Sequence, residues 1–193
     1  MGTKLVIFDM DGVLIDSFKA WLEAHKAGFS CFGIDVTENE FRKKYWGIPF
    51  PVVMSKFTDN KDKIREASRK VREAFMENTG KVEVFIGAAE TVDKLRSMGI
   101  KTGIFSNTPK DIVTKILEEK GIMYDYISTP PDIRNKPDPE GIDRICEESG
   151  IPKDETIYVG DTDTDEEVGR NAGVRTLIVG RDIGKVGDVP EKI

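Results

Sequence analysis

Four short apolar runs, rich in β-branched residues, punctuate this chain: Lys4–Asp9, Lys101–Ser106, Thr156–Gly160 and Arg175–Val179. Each ends on, or is followed at once by, an acid, a hydroxyl residue or a glycine. Runs this short, apolar throughout rather than alternating, suit strands covered on both faces. A weaker fifth run lies over Tyr124–Ser128. Between the runs the period becomes helical. Ala88–Met98 carries Val92, Leu95 and Met98 on one stripe, Asp111–Lys120 carries Ile112, Val113, Ile116 and Leu117, and Pro139–Ser149 carries Ile142, Ile145 and Cys146. Gly99, Gly121 and Gly150 stop the three. Strands alternating with helices of this length predict an α/β fold, a Rossmann-like parallel sheet with helices on both faces.

The stretch 16–84 breaks the alternation. Phe18, Trp21, Leu22, His25 and Phe29 form one helical stripe, and Ile64, Ala67, Val71, Ala74 and Phe75 form another. No clear strand separates them, which predicts a small helical domain over 16–84, inserted after the first strand of a core made of 1–15 and 85–193. Tyr45–Pro49 places large aromatics beside Gly47 and Pro49 and reads as a fixed loop. The tail after Arg181, with Gly184, Gly187 and Pro190, reads as loosely structured. The 193 residues suffice for one such core and its insert.

Charge and cysteine usage narrow the function classes. The 29 basic and 35 acidic residues leave a net charge of −6, without the basic excess that nucleic-acid binding needs. No apolar run approaches the ~20 residues of a membrane span, and the first residues lack the basic start and apolar run of a signal peptide. Cys31 and Cys146 form no C-x-x-C pair and read as small buried hydrophobes of a reducing compartment. The expectation is a cytoplasmic protein with no nucleic-acid or membrane partner; oligomeric state has no signature here.

In open α/β sheets ligands bind outside the carboxyl ends of the strands. Those ends deliver Asp9 and Asp11 after the first run, Ser106 and Asn107 after the second, and Asp161 after the third, with Asp163 and Asp165 behind it. Lys136 precedes the helix leading to the third run. Clustered carboxylates repel unless a cation joins them, and oxygen-only ligands suit Mg²⁺. Mg²⁺, a lysine and small hydrogen-bond donors are what a phosphoryl group requires, and an Asp can attack phosphorus directly. The single histidine, His25, lies on an apolar stripe, so nothing favours a Ser or Cys nucleophile. Asp161–Asp165 is not a calcium loop: Glu166 stands where that loop needs Gly, and Ala172 where it needs Glu.

Phe8-Asp9-Met10-Asp11-Gly12-Val13-Leu14-Ile15-Asp16-Ser17 resembles the first motif of the haloacid dehalogenase superfamily. Ser106-Asn107 resembles its second motif, and Lys136-Pro137 with Pro139 and Glu140 its third. Gly160–Asp165 followed by Asn171-Ala172-Gly173 resembles the fourth. The four occur in order over essentially the whole chain, and the helical insert resembles the cap of the phosphoglycolate-phosphatase-like branch. The resemblance implies a Mg²⁺-dependent phosphatase acting on a small phosphorylated metabolite through an aspartyl-phosphate, with phosphoglycolate as the family-based substrate. Asp9 would be the nucleophile and Asp11 the general acid and base. Asp9, Asp161 and the Asp11 carbonyl would hold the metal. Ser106, Asn107 and Lys136 would bind phosphate, and Asp165 would orient Lys136 or metal waters. Val13 departs from the Thr common at that position. In the cap, Trp46, Gly47 and Arg42, with Lys43 and Lys44 nearby, are the candidates for reading the leaving group. Two other readings remain: a sugar phosphomutase of the same superfamily, although Trp21 stands where such mutases carry a cap His, and a receiver-like phosphoacceptor domain, which would lack both the insert and the acid at Asp11.

Overall fold

The structure is a computed structural model that describes residues 2–193. In chain order the elements are β1 (Leu5–Phe8), β2 (Ile15–Asp16), α1 (Phe18–Ser30), α2 (Glu38–Lys44), α3 (Phe50–Met54), α4 (Lys61–Glu77), β3 (Glu83–Val84), α5 (Ala88–Ser97), β4 (Lys101–Phe105), α6 (Lys110–Glu119), β5 (Tyr126–Ser128), α7 (Glu140–Ser149), β6 (Thr156–Gly160), α8 (Asp163–Ala172) and β7 (Arg175–Ile178). They sort into two compact units. One comprises the residues up to Asp16 together with Val84–Ile193, and the other is Ser17–Glu83.

The first unit is a five-stranded sheet in the order β5-β4-β1-β6-β7, parallel throughout. β1 is its centre: Leu5 pairs with Lys101 on one side and Thr156 on the other, and Phe8 with Ile104 and Val159. All four β1 residues are fully buried, as an apolar strand covered on both faces should be. Leu5 and Ile7 point to one face and pack with Phe105, Ile142, Ile145, Tyr158, Val168 and Ala172, so α7 and α8 cover that side. Gly141 in α7 lies where any Cβ would strike the Phe105 ring, which is what lets that helix sit so low on the sheet.

Helix ends follow local chemistry. α8 opens on a capping box, with Thr162 Oγ1 accepting from the Asp165 N–H, and closes at Gly173, φ 72°. The three acids of its first turn, Asp163, Asp165 and Glu166, lie at the positive end of the helix, where negative charge is favoured. The tail corrects the expectation of a loose terminus: Val186–Glu191 forms a 3₁₀ helix that packs on α5, with Val186 and Val189 buried. Apolar side chains three apart outweigh the glycines there.

The second unit is helical. α1 and α4 pack along their length, and Gly28 admits Val71 and Phe50 to within the space of a methyl group. His25 sits among Phe41, Phe50, Trp21 and Phe29, with ring centroids 4.9, 5.6, 5.8 and 6.3 Å away. Trp21 stacks on Phe75 at 3.9 Å. Cys31 is only half-buried at the end of α1, so of the two free cysteines Cys146 alone is a core residue. Among the described residues no helix is long and apolar enough to cross a membrane.

Candidate active site

Because β1, β4 and β6 run parallel, the loops at their carboxyl ends emerge at one edge of the sheet. Asp9 comes directly after β1, Ser106 after β4 and Asp161 after β6. The chain leaves β1 for β4 on one side and reaches β6 on the other, which makes this edge the point where strand order reverses and a crevice opens. The loop after β1 folds back on itself, the Met10 carbonyl accepting from the Leu14 and Ile15 N–H groups at 3.0 and 3.1 Å. Gly12 in that loop has φ 87°, and a Cβ on it would collide with the Asp161 carboxylate. Glycine is therefore what lets two acid-bearing loops meet.

Lys136 is the hub. Its Nζ lies 2.9 Å from Asp9 Oδ1 and 2.8 Å from Asp165 Oδ1, with the Phe105 and Tyr158 rings 5.1 and 5.4 Å away. The Lys136 side chain is only 4% exposed and that of Asp165 1%, so these are buried charges and must be paired. Asp165 is well supplied: Oδ1 also accepts from Tyr158 Oη at 2.6 Å, and Oδ2 from Thr162 Oγ1 at 2.6 Å, Thr162 N at 3.1 Å and Asp161 N at 3.3 Å. Burial raises the Asp165 carboxyl, but Lys136, Thr162 and Tyr158 more than offset it and hold the group below its ordinary range. Burial would lower Lys136, yet Asp165 and Asp9 push it up to about 12. Burial and the Asp165 carboxylate hold the Tyr158 phenol well above its ordinary range, so it stays a donor.

Asp9 is the contested charge. Burial pushes its carboxyl up, Lys136 pulls it down, and Asp165, Asp161 and Asp11 push it up again, with the balance well above the usual carboxylate range. The settled ion pair is therefore Lys136–Asp165, and one lysine is too little cation for the whole group. Met10 N–H and Lys136 both engage Asp9 Oδ1, at 2.7 and 2.9 Å, which fixes the rotation of the carboxylate.

Asp11 and Ser106 meet across the crevice: Ser106 Oγ donates to Asp11 Oδ2 at 3.4 Å. Thr108 Oγ1 donates to the same oxygen at 2.8 Å, and the Thr108 N–H donates to Ser106 Oγ at 3.0 Å. Asn107 faces the third motif, its Oδ1 accepting from the Lys136 N–H at 2.8 Å, so it fixes the backbone from which Lys136 projects. Asn171 Nδ2 donates to the Pro137 carbonyl at 3.0 Å and holds the other side of that segment. The seven residues expected at the core site thus gather at one edge of the first unit. Thr108 and Tyr158 carry no sequence signal of a site: one reads as a turn residue before Pro109 and the other as strand core.

Asp9, Asp161 and Asp165 each offer an oxygen within 4.8 Å of the others, a group able to hold a metal ion. Asp165 already accepts five hydrogen bonds, one more than a carboxylate has lone pairs, so it suits orientation rather than ligation. Asp9 and Asp161 are the better carboxylate donors. Oxygen donors around an undercompensated carboxylate fit a hard divalent cation.

The cap candidates lie in the second unit. Tyr45 follows the last turn of α2, Gly47 turns at φ 75°, and Pro49 precedes α3. Trp46 is half-buried, 5.2 Å from the Phe18 ring and 6.2 Å from Phe41. The Arg42 guanidinium lies 3.8 Å over the Phe18 ring and pairs with Glu38, and Lys44 pairs with Glu40. Much of the basic charge in α2 is therefore shared with acids one turn earlier.

The model of the haloacid dehalogenase-like hydrolase family matches residues 6–179, and the chain belongs to that family. It is a hydrolase, as the four motifs imply. Among its relatives, phosphoglycolate phosphatase of Aquifex aeolicus is 29% identical over 180 residues, 91% of this chain and 84% of that one. Pyrophosphatase PpaX of Halalkalibacterium halodurans is 28% identical over 184 residues, 93% of this chain and 85% of that one. The crystal structure of CbbY from Rhodobacter sphaeroides in complex with phosphate shares the fold, with TM-score 0.80 at 16% identity over 97% of this chain and 96% of that one.

Proposed function

We propose that this protein is a cytoplasmic, Mg²⁺-dependent phosphomonoesterase that works through an aspartyl-phosphate on Asp9. The observation that carries the reading is the Lys136 ammonium held between Asp9 and Asp165 in a buried, carboxylate-rich crevice at the strand ends. Asp9 and Asp161, with the Asp11 carbonyl, would hold the metal. Bound there, Mg²⁺ would neutralise charge on the phosphoryl oxygens and on Asp9.

A carboxylate oxygen of Asp9 attacks phosphorus in line, and the P–O bond to the leaving group breaks. Asp11 gives its proton to the departing oxygen, then takes one from the water that attacks the aspartyl-phosphate and frees inorganic phosphate. Ser106 Oγ and backbone N–H groups near Asn107 hold phosphoryl oxygens. Lys136 stabilises charge on them and on Asp9, and is itself kept protonated and aimed by Asp165. The site residues touch only the phosphoryl group, so the Ser17–Glu83 unit, acting as a cap, would read the leaving group. Phosphoglycolate is the substrate proposed first; the relative named a pyrophosphatase makes pyrophosphate the rival.

The test is release of inorganic phosphate from phosphoglycolate, pyrophosphate, sugar phosphates and p-nitrophenyl phosphate, with Mg²⁺ and with a chelator, for the parent chain and Asp9→Asn. Turnover should need the metal, and kcat should fall at least ~10³-fold in the variant. Activity that survives the chelator would refute the metal assignment, and a near-normal rate in Asp9→Asn would refute the nucleophile. Conversion of a sugar phosphate to its isomer without phosphate release would point to the mutase instead.

A further inference from the structure

We infer that Thr108 is the positioning residue for Asp11, the group that holds the general acid in place while Ser106 is occupied by substrate. The inference rests on Asp11 being the general acid and adds a residue to that role. Two hydroxyls converge on Asp11 Oδ2, and they are unequal. Thr108 Oγ1 donates at 2.8 Å, while Ser106 Oγ stands at 3.4 Å, at the edge of hydrogen bonding. Ser106 cannot serve Asp11 and a phosphoryl oxygen with its one proton. When the phosphoryl group arrives, the weaker bond is the one given up, and the shorter Thr108 bond is kept.

Thr108 is built for this. It is 6% exposed, and its β-branched side chain has few rotamers to choose from. Its backbone N–H donates to Ser106 Oγ at 3.0 Å, so one residue sets the place of both hydroxyls. By donating to Oδ2, the Thr108 hydroxyl leaves Oδ1 as the oxygen that carries the proton toward the leaving group. Val13, in the loop of Asp11 and buried, has no hydroxyl to share the task.

A residue that aims the general acid should matter in proportion to how much protonation the leaving group needs. The experiment therefore measures kcat/KM at saturating Mg²⁺ on a series of substituted phenyl phosphates, whose leaving groups differ in basicity and little in shape. The enzymes are the parent chain, Thr108→Val, Thr108→Ser and Asp11→Asn. Thr108→Val is isosteric and should lose about 10-fold more on the most basic phenolate than on p-nitrophenolate, a part of the ~10²–10⁴-fold that general acid–base catalysis supplies. KM should hardly move, and Thr108→Ser should stay within about threefold of the parent across the series. A uniform loss across the series in Thr108→Val would overturn the inference, as would a Thr108→Ser variant as steep as the valine one. A uniform loss in Asp11→Asn would instead overturn the acid role of Asp11, and this inference with it.

Discussion

His25 offers a measurement free of interference, because it is the only histidine in the chain. Its ring is buried among four aromatic side chains, and Nδ1–H donates to the Trp21 carbonyl at 2.9 Å. Nε2 is buried without a well-aligned partner; the nearby Ile48 carbonyl favours a proton there but does not make up for lost hydration. Burial lowers the group to about 4. As pH falls the unfolded chain takes up this proton near 6.5, while the folded chain does not until about 4. In that window the unfolded state binds more protons, so stability falls with falling pH. The contribution is whole above pH ~6.5 and amounts to about 3 kcal/mol, at ~1.4 kcal/mol per unit, with most of it gone by pH 4.5. His25→Phe keeps the aromatic packing and leaves the Trp21 carbonyl in its helical bond. Between pH 7 and pH 4.5 the parent should lose about 2–3 kcal/mol more than the variant in urea unfolding. The single imidazole resonance should titrate near pH 4. A resonance titrating near 6.5, or equal losses in the two proteins, would refute the buried neutral ring.

Two further outcomes rest on named contacts. Tyr158→Phe removes a buried donor from Asp165 Oδ1 and should cost about 1–3 kcal/mol in chemical unfolding; no measurable loss would mean that the remaining donors satisfy Asp165 alone. Trp46→Ala removes a half-buried indole from Phe18 and Phe41 and should cost about 2 kcal/mol of stability. If the Tyr45–Pro49 turn also reads the leaving group, kcat/KM should fall at least ~10-fold further on the preferred metabolite than on p-nitrophenyl phosphate, about 1.4 kcal/mol; equal losses would leave Trp46 as packing alone.

What the sequence made legible was whatever is written in hydrophobic period or in strand ends. β1, β4, β6 and β7 stand out because a strand buried on both faces stays mostly apolar until it stops, and after β1, β4 and β6 the first polar residue is a site residue. Asp9 and Asp161 are found that way. Thr108 is not, because a hydroxyl before Pro109 is ordinary turn chemistry, and only the approach of β4 to β1 turns it toward Asp11. Tyr158 is hidden for the opposite reason: its ring belongs to the core, and the one polar atom at its tip meets Asp165 from the next helix. α8 shows little helical stripe, with Val168 and Ala172 its buried apolar residues, because its first turn is given over to acids. The tail reads as loose by its glycines and proline, but the spacing of Val186 and Val189 is what sets its structure.

The central place of β1 has a consequence for how the chain becomes a protein. The partners of Leu5 lie 96 and 151 residues further along, so the most apolar strand waits longest for its neighbours. At ~5–20 residues per second, synthesis leaves it without β6 for roughly 8–30 s. Ser17–Glu83, whose contacts are local, can form in that interval, while the sheet cannot close until most of the chain exists. A ribosome that stalls before Thr156 would hold a nascent chain with a bare, hydrophobic strand edge, the kind of species that chaperones must catch.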